Sequence, residues 1–325
     1  MNLVFTVCTN SHLAQAKAMA DSLVAYNPAY QVVIGLVDKI ANASESEWLR
    51  PHTILEIETI QIPDFEALLG KFSLYEMSCL AKPYFAEYLF KTHASLQRLL
   101  YFDTDMLIFD AFDDIEASLT QYDIVITPHF TSPFGDHKSP HLRTFLNSGI
   151  YNGGFFALRR GDEALRFLKW WQDYVAEDGY VNFCRGMFVD QLCLNFLPVF
   201  FKNVLVEHSP RYNVAYWNLH ERSVSQRDGN WWVNGTHRLL FFHFSGYQID
   251  APTHLSVHQD RHEWKVRTDV QPLFELYKQA LLKYNHSERL HLPNAYFRKP
   301  WHRKLGKIRG WIIVICRKIL KMLDA

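Results

Sequence analysis

A chain of 325 residues with 48% hydrophobic and 15% aromatic side chains has ample material for a packed core, as one large α/β domain or two smaller ones, which excludes disorder for most of its length. Five cysteines, Cys8, Cys79, Cys184, Cys193 and Cys316, are scattered without a C-x-x-C pair, so neither a disulfide framework nor a zinc knuckle is indicated and a reducing compartment fits best. The formal net charge of zero is a cancellation: nine of the 34 basic and one of the 34 acidic residues fall in 298–325, leaving a tail of +8 and a remainder of −8.

Leu3 to Cys8 predicts a buried strand. Thr9-Asn10-Ser11 and a helical stripe of Leu13, Ala16, Ala20, Leu23 and Val24 follow, stopping at Asn27-Pro28, and Gln31 to Val37 predicts a second strand ending at Asp38. Strand, helix and strand with short connections form a βαβ unit, hence a parallel sheet that binds ligands at the carboxyl ends of its strands. That position makes Thr6, Cys8, Thr9, Asn10 and Asp38 candidates to contact a nucleotide base or ribose, although Thr9-Asn10-Ser11 reads equally well as a helix N-cap. No charged-then-apolar leader is expected, because Asn2 runs straight into this strand.

Ser44-x-x-Glu47 and Ser73-x-x-Glu76 each have the form of a capping box and predict helix starts. The second helix carries Leu74, Met77, Leu80 and Ala81 before Lys82-Pro83, where proline is expected to kink or restart it and bare N–H groups beside Lys82. A lysine there is a candidate to hold a diphosphate, against the plainer reading of a solvated surface lysine. Tyr84 to Phe90 predicts an apolar helix leading to the next strand.

Leu99 to Asp110 is an apolar, aromatic run of strand length that delivers Asp103 and Asp105 one residue apart and then becomes apolar again. Two carboxylates flanked by Leu, Phe and Ile must be partly desolvated, which is costly unless a cation or hydrogen bonds compensate the charge. A hard divalent ion, Mg²⁺ or Mn²⁺, suits carboxylate oxygens and leaves positions for water and a phosphorylated substrate. Zinc is disfavoured, since no Cys or His lies in the stretch. Structural hydrogen bonds in a turn are the plain alternative. The haloacid-dehalogenase phosphatase signature also ends a strand in Asp-x-Asp, but Met106 and Leu107 follow here where that family wants a small residue and then Thr or Val.

Asp123 to Thr127 predicts another strand, and Pro128 to Arg143 a long surface loop suited to a lid or an acceptor-binding element. In Asn152-Gly153-Gly154 two glycines enter an apolar strand, permitting close approach of a ligand to backbone, and Asn152 offers both donor and acceptor to sugar hydroxyls; a tight turn is the alternative. Asp162 to Ala176 predicts an amphipathic helix with Leu165, Leu168, Trp171 and Val175 on one face. Phe188 to Leu192 opens a further helix whose Asp190-Gln191 pair requires buried polar partners. Val204 to Val206 and Leu239 to Phe244 predict short strands. His243, in the second, is either a hydrogen-bonded core residue or a neutral imidazole that completes a two-Asp site.

In the tail, Leu305, Ile308, Trp311, Ile312, Ile315, Ile319, Met322 and Leu323 recur at helical spacing among seven Lys and Arg. The longest apolar run, Trp311 to Cys316, is far short of the roughly 20 residues that span a bilayer. Such a stripe could pack on the domain, but a basic face with Trp311 suits an anionic membrane surface, met through residues 301–323, better than it suits nucleic acid. A cytoplasmic enzyme held peripherally at the inner face of the cell membrane is the resulting expectation.

With these residues together, positions 1 to about 250 resemble glycosyltransferase family 8, the glycogenin and lipopolysaccharide-galactosyltransferase kind. Asp103-Thr104-Asp105 would be its D-x-D motif, Asn152-Gly153-Gly154 its sugar-contacting segment, Asp190-Gln191 its D-Q pair and His243 its third metal ligand. The resemblance implies a GT-A fold for residues 1–297, an α/β architecture with a mixed, mainly parallel sheet flanked by helices. It further implies Mn²⁺ or Mg²⁺, a nucleoside-diphosphate sugar donor, commonly a UDP-hexose, transfer with retention, and a glycan or lipid-linked acceptor. The family has a lysine shortly after the histidine that binds the donor phosphate, whereas Tyr247-Gln248-Ile249-Asp250 has none, which makes Lys82 the substitute candidate. A nucleotidyltransferase or nucleotide-sugar hydrolase, and a non-catalytic carbohydrate-binding protein, are the competing readings. The first would favour a Gly-rich phosphate loop after the first strand, and Thr9-Asn10-Ser11-His12 offers none.

Overall fold

The computed structural model describes residues 1–251 and 253–296 together with positions 312 and 315; the predicted tail helix otherwise lies outside the described residues. The elements in chain order are β1 (Asn2–Cys8), α1 (Leu13–Tyr26), β2 (Gln31–Leu36), α2 (Ala43–Leu49), β3 (Thr53–Glu56), α3 (Phe65–Lys71), α4 (Leu74–Thr92), β4 (Arg98–Phe102) and β5 (Met106–Ile108). There follow α5 (Asp113–Gln121), β6 (Ile124–Pro128), α6 (Leu142–Ser148), β7 (Tyr151–Arg159), α7 (Asp162–Asp178), α8 (Leu197–Phe200) and β8 (Val204–Val206). A small hairpin region of β9 (Val224–Arg227), β10 (Asn230–Val233) and β11 (His237–Arg238) then leads to β12 (Phe241–His243), α9 (Gln271–Lys283) and α10 (His286–Arg289).

Seven strands form the central sheet in the order β3-β2-β1-β4-β7-β6-β8. β1 runs parallel to β2 and β4, β2 to β3, and β6 to β8; β7 alone is reversed, antiparallel to both β4 and β6. Because side chains alternate along a strand, the sheet divides its residues between two cores. Phe5, Leu99, Tyr101, Ile126 and Phe156 pack under α4 and α7, whereas Val4, Leu100, Phe102, Val125 and Phe155 pack under α1 and α5. Continuous apolar runs are what a sheet covered on both faces demands.

Five local expectations are revised. The Leu99–Asp110 run is two strands, not one: β4 stays in the main sheet, residues 103–105 make the turn, and β5 leaves to pair antiparallel with β12. Pro83 lies inside α4 without ending it. An interior proline costs ~3 kcal/mol, but Leu80, Ala81, Phe85, Ala86 and Leu89 on both sides of it are fully buried, and at roughly 1.5–3 kcal/mol for each large apolar side chain their burial holds the helix through it. α2 is capped by Asn42, whose Oδ1 accepts from Glu45 N at 3.1 Å, rather than by Ser44; the Ser73–Glu76 capping box is present as read. Leu165 is exposed, and α7 buries Ala164, Phe167, Leu168, Trp171, Gln172 and Val175 instead. Phe188 to Gln191 precede a short 3-10 turn, Leu192–Phe196, rather than opening an α-helix.

The stretch after β6 is irregular only as far as His141, where α6 takes over. Arg261 ties it down: its guanidinium lies 3.7 Å over the Phe134 ring, its Nε donates to Asp136 at 3.0 Å, and it donates to the carbonyls of Lys138 and Pro140. No helix among the described residues is long and apolar enough to cross a membrane.

Candidate active site

The carboxyl ends of β1 and β4 open onto a cavity of about 460 Å³. β4 ends at Phe102, and the turn that follows projects Asp103, Thr104 and Asp105 into it. The turn is held from both sides, by Asp103 N donating to Gly154 O and by Phe244 N donating to Asp105 O, each at 2.8 Å. The pairing of β12 with β5 sets His243 opposite Met106, which brings its Nε2 to 3.0 Å from Asp105 Oδ1. One ligand atom each from Asp103, Asp105 and His243 falls within 4.8 Å of the others. Two carboxylates and an imidazole at that separation fit a hard divalent cation. Gly154 makes the cluster possible: a Cβ there would stand 2.7 Å from His243 Cε1 and 2.8 Å from Asp103 Oδ2.

α4 delivers Lys82 to the opposite wall. Its buried ammonium lies 3.0 Å from Asp190 Oδ2, 3.3 Å from Asp103 Oδ1 and 3.0 Å from the Gly153 carbonyl. Burial opposes its charge, but Asp103 and Asp190 outweigh burial and hold it protonated. Burial lifts the Asp190 carboxyl above the usual range while Lys82 pulls it down. The same contest runs between the other two: burial resists the charge on both His243 and Asp105, yet each stabilises the other, raising the imidazole and lowering the carboxyl. Tyr101 donates to Asp103 Oδ1 at 2.5 Å, fixing that carboxylate's orientation. Val189, a β-branched residue with φ 40°, is held in the left-handed region immediately before Asp190, a strained conformation of the kind that collects at functional sites.

The structure sorts the sequence candidates into those at the cavity and those behind it. Cys8, Thr9, Lys82, Asp103, Thr104, Asp105, Gly153, Gly154, Asp190 and Gln191 form its wall. Asn152 does not: its Nδ2 faces His129 Nε2 and Gln191 Oε1, both at 3.2 Å, and its Oδ1 accepts from Gly154 N at 3.1 Å, so it braces the glycines from behind. Thr6 is fully buried in β1. Asn10 donates to the Lys39 carbonyl, and Asp38 is enclosed by the backbone of Lys39 and Ala295 and the amide of Asn294. None of these three reaches the cavity, because β1 and the turn after β2 face their polar groups into the protein. Lys82, read as a diphosphate ligand on a broken helix, is instead enclosed by carboxylates on an intact one. The Thr9 hydroxyl lies within hydrogen-bond distance of Ser11 Oγ and His12 Nδ1 and does not cap a helix.

Tyr101, His12 and Gly246 also line the cavity and were not singled out in the sequence. Tyr101 was within reach of a strand argument, since it stands two residues before Asp103 and so on the same face. Gly246 and its neighbour His258 depend on a chain reversal that leaves no local signature.

The mainly parallel seven-stranded sheet flanked by helices matches the GT-A fold of solved glycosyltransferases. The galactosyltransferase LgtC, solved in complex with donor and acceptor sugar analogues, matches over 87% of this chain and 96% of its own with a TM-score of 0.53 at 15% identity, a likeness of fold. No protein-family model matches the chain. The uncharacterized protein YfnF of Bacillus subtilis (strain 168) is 29% identical over 208 residues, 62% of this chain and 65% of YfnF, so the match spans just under two thirds of that relative's length. YfnD of the same organism is 24% identical over 253 residues, 75% of this chain and 77% of YfnD.

Proposed function

We propose that this chain is a metal-dependent glycosyltransferase that moves a hexose from a nucleoside-diphosphate sugar, a UDP-hexose in the first instance, to a glycan or lipid-linked acceptor with retention of configuration, in the synthesis of cell-surface polysaccharide or lipopolysaccharide. The observation that carries the reading is the convergence of Asp103, Asp105 and the buried His243 beside a cavity that the two carboxylates line together with Gly153 and Gly154.

Those three side chains would hold Mn²⁺ or Mg²⁺, which when bound would supply Lewis-acid stabilisation of the charge that develops on a departing diphosphate. Tyr101 and Lys82 both reach Asp103 Oδ1 and so fix the orientation of that carboxylate. Lys82 also fixes Asp190 beside Gly153, where a carboxylate can orient an acceptor hydroxyl or face an electron-deficient sugar carbon. Gln191 accepts from Gly153 N at 2.9 Å, locking the glycine floor against which a sugar ring would lie. Leu74, Tyr75 and Phe188 give the cavity an apolar side.

A thermal-shift panel of nucleotide sugars, each with MnCl2 and with EDTA, tests the proposal. One donor is expected to raise the unfolding midpoint only with metal, and that donor should then release its nucleoside diphosphate when acceptor glycans are added. Stabilisation by no nucleotide sugar in MnCl2 would contradict the reading; cleavage that proceeds at full rate without any acceptor would favour the hydrolase.

A further inference from the structure

Among the described residues the cavity offers few cations to a diphosphate: its basic lining side chains are Lys82 and His12, against three carboxylates, those of Asp103, Asp105 and Asp190. Lys82 is already engaged by two of them. Two phosphate groups entering this space therefore need hydrogen-bond donors beyond the cation, since anionic oxygens removed from water without partners are costly. The segment Tyr247-Gln248-Ile249-Asp250, after His243, has no lysine to provide them.

His12 ends the turn that leaves β1. Its Nδ1 lies 2.9 Å from Ser11 Oγ and 3.2 Å from Thr9 Oγ1. A hydroxyl donating to Nδ1 places the proton of a neutral ring on Nε2, so His12 presents an N–H outward without having to be charged. His258, from much later in the chain, lies against Gly246. A Cβ on Gly246 would stand 2.5 Å from His258 Cδ2 and 3.0 Å from its Nε2, and Gly246 lines the cavity. The His258 backbone donates to Ser256 Oγ at 3.1 Å, which fixes the turn carrying the ring. Both residues keep part of their surface exposed, and on both rings the charge of the same carboxylate, Asp105, opposes the lowering that burial causes. Gln15, on the first turn of α1, also faces this wall, with its Oε1 buried and lacking a hydrogen-bond partner, an acceptor that a bound hydroxyl would satisfy.

We propose that His12 and His258 are the phosphate-holding residues of this chain, donating imidazole N–H hydrogen bonds to a nucleoside diphosphate and standing in for the absent lysine. The inference rests on the donor site proposed above. Calorimetric titration of the full chain with UDP and with UMP, each in MnCl2, reads it directly. His12→Ala and His258→Ala are each expected to weaken UDP binding about tenfold, the scale of one hydrogen bond to a charged group, and the double variant to bring UDP down toward the affinity of UMP. His12→Gln and His258→Gln, which keep an N–H donor, should recover most of the loss, a pattern that general misfolding of the Ala variants would not produce. UDP affinities in both Ala variants equal to that of the unsubstituted chain would overturn the assignment while leaving the donor site standing. Failure of the unsubstituted chain to bind either nucleotide would overturn both.

Discussion

His129 and Asn152 form the brace behind the glycine floor, and the chemistry of each depends on the other. His129 Nδ1 lies 2.9 Å from the Ile150 carbonyl and therefore donates, which leaves Nε2 to accept from Asn152 Nδ2 at 3.2 Å. Only the neutral ring satisfies both. Burial accordingly pushes His129 down to about 4, with the Ile150 carbonyl pulling weakly the other way. Above pH 6.5 the folded and unfolded chains both hold a neutral imidazole. As pH falls from there toward 4, the unfolded chain takes up a proton that the folded chain refuses, and stability declines by about 3 kcal/mol across the interval. Urea unfolding at pH 7 and pH 5 should show a loss about 2 kcal/mol larger in the unsubstituted chain than in His129→Gln; parallel losses in the two proteins would remove His129 as the source. Asn152 was legible in the sequence as a polar residue that needed partners, but not which ones. Both a sugar and a neighbouring imidazole satisfy an amide, and His129 stands 23 residues away. Asp38 presents the same case, since its partner Asn294 lies 256 residues downstream.

Periodicity works well at the level of elements, because it reports which faces must leave water. The βαβ opening, the strands around Asp103, Ile124, Gly154 and Val204, and the capping box of α4 all follow from it. It fails where two local signals compete. Asn42 and Ser44 both precede α2, and Asn42 holds the cap because its Oδ1 reaches Glu45 N, while Ser44 Oγ donates back to that same oxygen at 2.5 Å. Substitution of Asn42 by Ala is therefore expected to cost about 1 kcal/mol and of Ser73 by Ala 1–2 kcal/mol, with Ser44→Ala costing a few tenths. Chemical denaturation of the three variants checks the order; a larger loss at Ser44 than at Asn42 would reverse the cap assignment. Pro83 shows the opposite failure, in which a strong local breaker signal yields to burial on both sides of it. The helix it leaves intact is what carries Lys82 to the carboxylates of Asp103 and Asp190.

At the scale of the whole molecule, charge separates the chain into an acidic body and a basic tail, and the site opens at the carboxyl ends of β1 and β4. Ile312 and Ile315, the described positions of the tail, are helical and about half exposed. We propose that residues 301–323 meet an anionic leaflet, where each Lys or Arg contributes on the order of 1 kcal/mol, and so bring the site to a lipid-linked acceptor. Truncation after Pro300 should abolish binding to vesicles containing anionic lipid while leaving nucleotide binding intact; equal vesicle binding by both proteins at physiological salt would contradict this. The central claim, that Asp103, Asp105 and His243 form a metal site on which sugar transfer depends, is tested most directly by donor-dependent release of nucleoside diphosphate, compared between the unsubstituted chain and Asp105→Ala in MnCl2 and in EDTA. The account predicts release only for the unsubstituted chain in MnCl2, with the variant folded but inactive. Full release by Asp105→Ala in EDTA would contradict it.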